Sequence, residues 1–250
     1  MRYYLKISYD GTAYAGWQRQ KNAISVQETL EDAFFKALSK PVKITASGRT
    51  DAGVHAVAQV CHLDVDEITV PADKLPDCVN RFLPPDIKVL EGEEAKKGFD
   101  AIKSAKRKTY RYSLYVSQRE LPLKERYAVK IDAAPCLEKL QEVARLFEGE
   151  HDYKAFCASG SSVKTTVRTV YEVRVEERLE LGVRNLNIYV TGNGFLYNMV
   201  RTIVGTLIEI SLGKKEEDKL LKAYETGDRG LLGKTMPAKG LTLYNVEYDG

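Results

Sequence analysis

Periodicity alternates along this chain in an order that occurs twice, and two copies of one order leave few architectures open. Arg2 to Tyr9 alternates toward a strand. Ser25 then opens a helix, with Glu28 three positions on as a capping box and Val26, Leu30, Ala33, Phe34 and Ala37 on one stripe; Pro41 stops it. Val42 to Ala46 and Val57 to Asp66 read as strands, Asp73 to Leu83 as a short helix carrying Leu75, Val79 and Phe82, and Ile87 to Leu90 as a strand. The order is βαββαβ. Arg107 to Val116 begins again as a strand, followed by a helix stripe of Leu137, Leu140, Val143, Ala144 and Phe147 and a hairpin from Thr166 to Glu177 and Asn185 to Val190. Phe195 to Ser211 reads as a strongly periodic helix, a polar helix near Glu216 to Tyr224 is inserted, and Leu241 to Tyr248 ends the second βαββαβ. The fold class expected is α+β: two ferredoxin-like (RRM-like) units, residues 1–104 and 105–250, sharing one continuous, mostly antiparallel sheet. Helices cover one side of that sheet, and the active cleft is expected at its centre.

Composition excludes more than it selects. The chain has 250 residues, 44% of them hydrophobic, enough to bury a core without disulfides. Its 38 Lys and Arg against 35 Asp and Glu leave a net charge of +3, so any nucleic-acid surface must come from local placement of the basic residues. The N-terminal strand is no secretion signal, and the most apolar stretch, Phe195 to Leu212, carries Asn198, Arg201, Thr202 and Glu209, so no membrane span is expected. Cys61, Cys78, Cys136 and Cys157 are scattered without a CxxC pair and read as reduced thiols of a cytoplasmic protein.

Three segments carry groups suited to chemistry. ASGRTDAGVHA, Ala46 to Ala56, joins two strands and holds Asp51 between Gly48 and Gly53, with Arg49 two residues away. Arg49 suits either lowering the carboxyl pKa or gripping a phosphate, and the segment also fits a plain turn with a surface ion pair. It is no P-loop, because Lys-Ser/Thr is absent after the second glycine. Lys103 to Arg111 packs five basic residues into nine positions beside Tyr110. Strand alternation puts Lys106, Lys108, Tyr110 and Tyr112 on one face, a platform for phosphates and an unstacked base, or else a lysine-guarded edge. Arg201, expected in the second turn of its helix, is either surface decoration or a fixed cation for Asp51. Trp17, beside Gln18, Arg19 and Gln20, suits core packing or contact with RNA.

Taken in order, these segments resemble the TruA family of tRNA pseudouridine synthases over essentially the whole chain. The matching stretches are YDGTAYAGWQRQ (Tyr9 to Gln20), GRTDAGVHA (Gly48 to Ala56), KTYRY (Lys108 to Tyr112), HDYKAF (His151 to Phe156), RTV (Arg168 to Val170), GNGFLYNMVRTIVGTL (Gly192 to Leu207) and PAKGLTL (Pro237 to Leu243). The resemblance implies isomerisation of uridine to pseudouridine at positions 38, 39 and 40 of the tRNA anticodon arm, without metal, nucleotide or redox cofactor. It implies a homodimer holding one tRNA across both subunits. It makes Asp51 the essential nucleophile or base, Tyr110 the stacking residue and a candidate for C5 deprotonation, and Arg201 the partner of Asp51. Arg49 then helps flip the base and Leu241 touches uracil, while Lys106, Lys108 and Arg19 are candidates for binding RNA. A non-catalytic RNA binder would need an RNP-type aromatic pattern, whose Gly-Phe context Tyr110 lacks, and glycoside hydrolases usually pair two carboxylates, while no second acid lies near Asp51 in the loop.

Overall fold

The computed structural model describes residues 1–66, 68–158 and 163–249. They divide into two compact units, Met1–Lys106 with Thr242–Gly250, and Arg107–Leu241.

The first unit contains β1 (Arg2–Tyr9), α1 (Val26–Leu38), β2 (Lys43–Ala46), β3 (His55–Asp64), α2 (Leu75–Val79) and β4 (Ile87–Glu94). Its strands run antiparallel in the order β4-β1-β3-β2. Alternate residues Tyr3, Leu5, Ile7 and Tyr9 of β1 are buried, as the two-residue period requires. They join Val26, Leu30, Ala33 and Phe34 of α1 in the core. The capping box is real at its first half: Ser25 Oγ accepts from Glu28 N at 3.2 Å. The helix ends at Ser39, whose φ of 53° is left-handed, two residues before Pro41.

The second helix is shorter than Asp73 to Leu83. A 3-10 turn, Ala72–Lys74, leads into α2, and the helix stops before Asn80, whose side chain donates to Val89 O at 2.8 Å and accepts from Val89 N at 2.9 Å. That two-way bond holds the chain against β4 and leaves Phe82 47% exposed, off the buried stripe.

The second unit contains β5 (Ala105–Val116), β6 (Val129–Ile131), α3 (Leu137–Ala144), β7 (Gly149–Asp152), β8 (Val167–Glu180), β9 (Val183–Gly192), α4 (Met199–Ser211) and α5 (Glu217–Thr226). Strand order is β5-β9-β8-β7, antiparallel throughout, with β6 parallel to β5. Leu140, Val143 and Phe147 are buried, as are Ile203, Val204 and Leu207 of α4, and α3 packs against both α4 and β8. The helix expected from Phe195 begins only at Met199, because Asn198 sits at a left-handed φ of 65°. Arg201 is therefore in the first turn and not the second.

The last strand, β10 (Leu241–Tyr248), belongs with the first unit, although sequence order places it after the second. Thr242 and Leu243 pair parallel with His55 and Ala56. β1 occupies one edge of β3; β2 covers Cys61–Asp64 on the other edge, and β10 covers the end next to the Asp51 loop. All four cysteines are free thiols, and burial pushes that of Cys61 well up. Among the described residues no helix is long and apolar enough to cross a membrane.

Candidate active site

The Asp51 loop, residues 47–54, joins β2 to β3 and is anchored at both ends by buried polar groups. Ser47 N donates to Val60 O at 2.7 Å, and its Oγ donates to Gln59 Oε1 at 2.7 Å. Gln59, fully buried, returns its Nε2 to Gly48 O at 2.9 Å. At the far end Gly53, at φ 76°, donates from its N to Tyr14 O at 3.3 Å, and Val54 N donates to Asp51 O at 3.1 Å.

The segment YDGTAYAGW forms the floor. Tyr9 OH lies 2.8 Å from Thr50 Oγ1, and Trp17 N donates to Thr50 O at 3.0 Å. Gly16, at φ 94°, approaches so closely that a Cβ would sit 2.6 Å from Thr50 O and 3.1 Å from the carbonyl carbon of Asp51. His55, buried beyond the loop, accepts from Gly11 N through Nδ1 at 3.1 Å. Trp17 is only 2% exposed and packs with Tyr9, ring centroids 6.0 Å apart, so its indole is core and not an RNA contact. Against this rigid backing Asp51 is half-buried. Arg49 is exposed, with no side-chain bond or ion pair among the described residues.

In the second unit, Tyr110 lies opposite Val190 on β9, is 8% exposed and meets Phe195 edge-on at 5.3 Å. Gly192 makes room for that ring, since a Cβ there would come within 3.1 Å of Phe195 Cζ. Arg201 is half-buried and held on two sides. Its Nη1 donates to Asn198 Oδ1 and its Nε to Met236 O, both at 2.6 Å. Tyr112 OH donates to Pro237 O at 2.6 Å, and Gly240 passes so close that a Cβ would lie 2.6 Å from Tyr112 Cζ. Burial raises the Tyr112 phenol far above its usual range, so the hydroxyl stays a donor. Lys239 Nζ donates to Glu125 Oε2 at 2.5 Å, and Tyr115 OH donates to Glu125 Oε1. The segment from Met236 to Leu241 is thus clamped by side chains of β5 and α4, with Leu241 buried at its end.

Comparison with known proteins bears on the chain as a whole. The family model described as tRNA pseudouridine synthase matches residues 6–102 and 143–249. The chain belongs to the tRNA pseudouridine synthase family. Curated relatives called tRNA pseudouridine synthase A are similar along almost the whole length. That of Thermoanaerobacter sp. (strain X514) is 41% identical over 242 residues, covering 97% of each chain. That of Ruminiclostridium cellulolyticum is 42% identical over 98% of each, and that of Bacillus subtilis (strain 168) is 40% identical over 100% of each. Among solved structures, a chain of the "Crystal Structure of a Cbf5-Nop10-Gar1 Complex" aligns with 81% of this chain and 43% of that one, at 14% identity and a TM-score of 0.34. This synthase is an isomerase, and its substrate is tRNA.

The remaining expected binding residues of the synthase are scattered in character. Lys106 is exposed and ion-paired with Asp249 at 2.9 Å. Lys108 is half-buried, and burial, aided by neighbouring Arg168, lowers its ammonium to about 8. Arg19 is 53% exposed and bridges Glu28 and Glu31 of α1, each at 3.3 Å. Sequence reasoning gave no positioning role to Gly16, which backs Thr50, to Gln59, which holds Ser47 and Gly48, or to Asn198, which holds Arg201 three residues on. The available signal was a glycine or polar residue inside an otherwise apolar or aromatic run, as Gln59 is between Ala58 and Val60.

Proposed function

We propose that this protein converts uridine to pseudouridine at positions 38, 39 and 40 of the tRNA anticodon stem-loop, with Asp51 as its essential catalytic carboxylate. The observation that carries the reading is the fixing of the Asp51 loop: its backbone is bonded on both sides of Asp51, from Trp17 N and from Tyr14 O, while the carboxylate itself stays half-buried. A group that must meet C1′ or C2′ of one ribose needs such preorganisation.

In this reading the target base leaves the stem at a cost of a few kcal/mol. Tyr110 stacks on it, returning about 1–3 kcal/mol, and Arg49 fills the vacated space or grips a phosphate. Arg201 pairs with Asp51 and keeps it ionised against the desolvation of a closed site. The N1–C1′ bond breaks, the uracil turns against Leu241, C5 bonds to C1′, the C5 proton departs and N1 takes one up. The product is an isomer of the substrate, so the balance calls for no oxidant or reductant. Lys106, Lys108 and Arg19 serve the RNA backbone. The chain is read as two ferredoxin-like units, and the enzyme as a homodimer. The strand order β4-β1-β3-β2 supports that reading for the first unit.

Asp51→Asn tests the assignment, with tritium release from tRNA labelled at uracil C5 and carbodiimide mapping of the modified positions. Loss of release with tRNA binding kept is expected. Release at the wild-type rate overturns the role of Asp51, and product outside positions 38, 39 and 40 overturns the site.

A further inference from the structure

A cavity of about 570 Å³ opens in the second unit beside the first turn of α4, between the 3-10 turns Lys154–Phe156 and Arg229–Leu231. Its size falls within the range of ligand pockets, about 300–1,000 Å³. The polar lining is Lys154, Arg229, Thr166, Thr202, Thr235 and Asn198, and no described lining residue is acidic.

Arg229 is the residue that needs explaining. Its guanidinium is half-buried, and desolvation holds it below the ordinary arginine value. Among the described residues it makes one side-chain hydrogen bond, Nη2 to Thr235 Oγ1 at 2.9 Å, and no ion pair within 4.0 Å. Glu209, the one carboxylate that acts on it electrostatically, accepts instead from Lys234 N at 3.1 Å. A guanidinium carries five donors and is costly to desolvate without an anion. Thr235 Oγ1 lies 3.2 Å from Thr202 Oγ1, and Thr202 is fully buried, so the hydroxyls behind the arginine are built into the wall. Gly227 lets the Lys154 stem lie against the same wall, since a Cβ there would meet Lys154 Cδ at 3.0 Å. The start of α4 adds the positive end of a 13-residue helix.

We propose that this cavity binds a phosphate group, and that in the working enzyme the group is a backbone phosphodiester of tRNA. Guanidinium and ammonium supply the charge, the threonine hydroxyls and the Asn198 amide the remaining donors. Asn198 gives the cavity a second consequence. Its Oδ1 already accepts from Arg201 Nη1, so an anion held by its Nδ2 steadies the residue that holds Arg201. Backbone grip and the geometry of the site then share one side chain.

The choice of tRNA as the source rests on the function proposed above; the phosphate chemistry does not. Arg229→Gln and Lys154→Glu are compared with the unaltered full chain by thermal melting and by tRNA binding between 50 and 200 mM salt. Each variant is expected to bind tRNA about three- to tenfold more weakly at about 100 mM salt, with the slope of log K against log salt reduced by about 1. Lys154 is exposed, so its variant carries the test if Arg229→Gln melts early. In parallel, inorganic phosphate is titrated while the Arg229 Nε–Hε resonance is followed. A saturating shift, absent in Arg229→Gln, supports the anion site. That shift with unchanged tRNA affinity overturns the tRNA source in favour of free phosphate. Neither a shift nor a loss of affinity overturns the cavity as a phosphate site. A tRNA that gains no pseudouridine in the Asp51 experiment leaves the phosphate titration standing, so the two failures are separable.

Discussion

Gly16→Ala probes whether the floor under the Asp51 loop sets the position of the carboxylate. Gly16 sits at φ 94°, and an added Cβ would lie 2.6 Å from Thr50 O, 3.1 Å from Asp51 C and 3.2 Å from Ala52 N. All three are backbone atoms, so no flexible side chain can give way. Reaching ordinary contact at 3.4 Å moves the Thr50 carbonyl 0.8 Å, against the bonds from Trp17 N and Tyr9 OH that hold Thr50. Overpacking and left-handed strain together cost about 2–6 kcal/mol. Through most of that range the cost is below the total stability expected of a domain, about 5–15 kcal/mol, and the variant is expected to fold with Tm lowered by roughly 5–20 °C. A displacement approaching 1 Å at the reacting group costs about 100-fold in rate. Single-turnover tritium release is expected to fall by about that factor while tRNA still binds. Gly98→Ala is the control, because Gly98 has φ 83° with nothing within 4 Å of an added Cβ. It pays only the backbone strain, about 1–2 kcal/mol, and turns over normally. Wild-type turnover in Gly16→Ala, or an equal loss in Gly98→Ala, refutes the reasoning.

Three further outcomes are expected. Asn198→Ala removes the acceptor at 2.6 Å from Arg201 Nη1, worth about 1.5–3 kcal/mol for a charged donor. kcat at saturating tRNA should fall about 10- to 100-fold, and an unchanged kcat would show that Arg201 is held well enough without Asn198. Ser25→Ala deletes the α1 cap and should cost about 1 kcal/mol in urea unfolding; no change would mean that the buried Ser25 Oγ contributes nothing to helix stability. Lys108, lowered to about 8 by burial and Arg168, gives a pH signature. Between about 8 and its unfolded value near 10.4 the unfolded chain binds the extra proton, so this residue makes stability rise with pH across that window. Lys108→Met abolishes its share of the rise, and parallel wild-type and variant curves of unfolding free energy against pH would contradict the assignment.

What could be read from the sequence is what depends on near neighbours. The α1 stripe and its Ser25–Glu28 cap, the β8–β9 hairpin and the glycine-flanked Asp51 loop are each set by residues that follow one another in the chain. The start of α4 was misplaced because Leu196 is apolar and buried, extending the stripe past the point where left-handed Asn198 breaks the helix. β7, made of Gly149, Glu150, His151 and Asp152, has no apolar alternation and is a strand only because β8 lies beside it. The supports of the site were hidden for the same reason. Thr50 is bonded from Tyr9 and Trp17, and Arg201 from Met236, contacts that no periodicity encodes. Among the basic candidates, charge alone did not distinguish Arg19, occupied by Glu28 and Glu31, from exposed and uncommitted Arg49.

The pairing of β10 with β3 has a bearing on synthesis. When Lys106 leaves the ribosome, the residues that follow the Asp51 loop still lack the strand that will cover them, and Thr242 is 136 residues away. At about 5–20 residues per second the gap lasts roughly 7–27 s. Through that interval His55 and Ala56 present bare amides and carbonyls to whatever strand is near. The half of the protein made first is therefore the half completed last, and a nascent chain stalled short of Thr242 carries the Asp51 loop on an unfinished sheet.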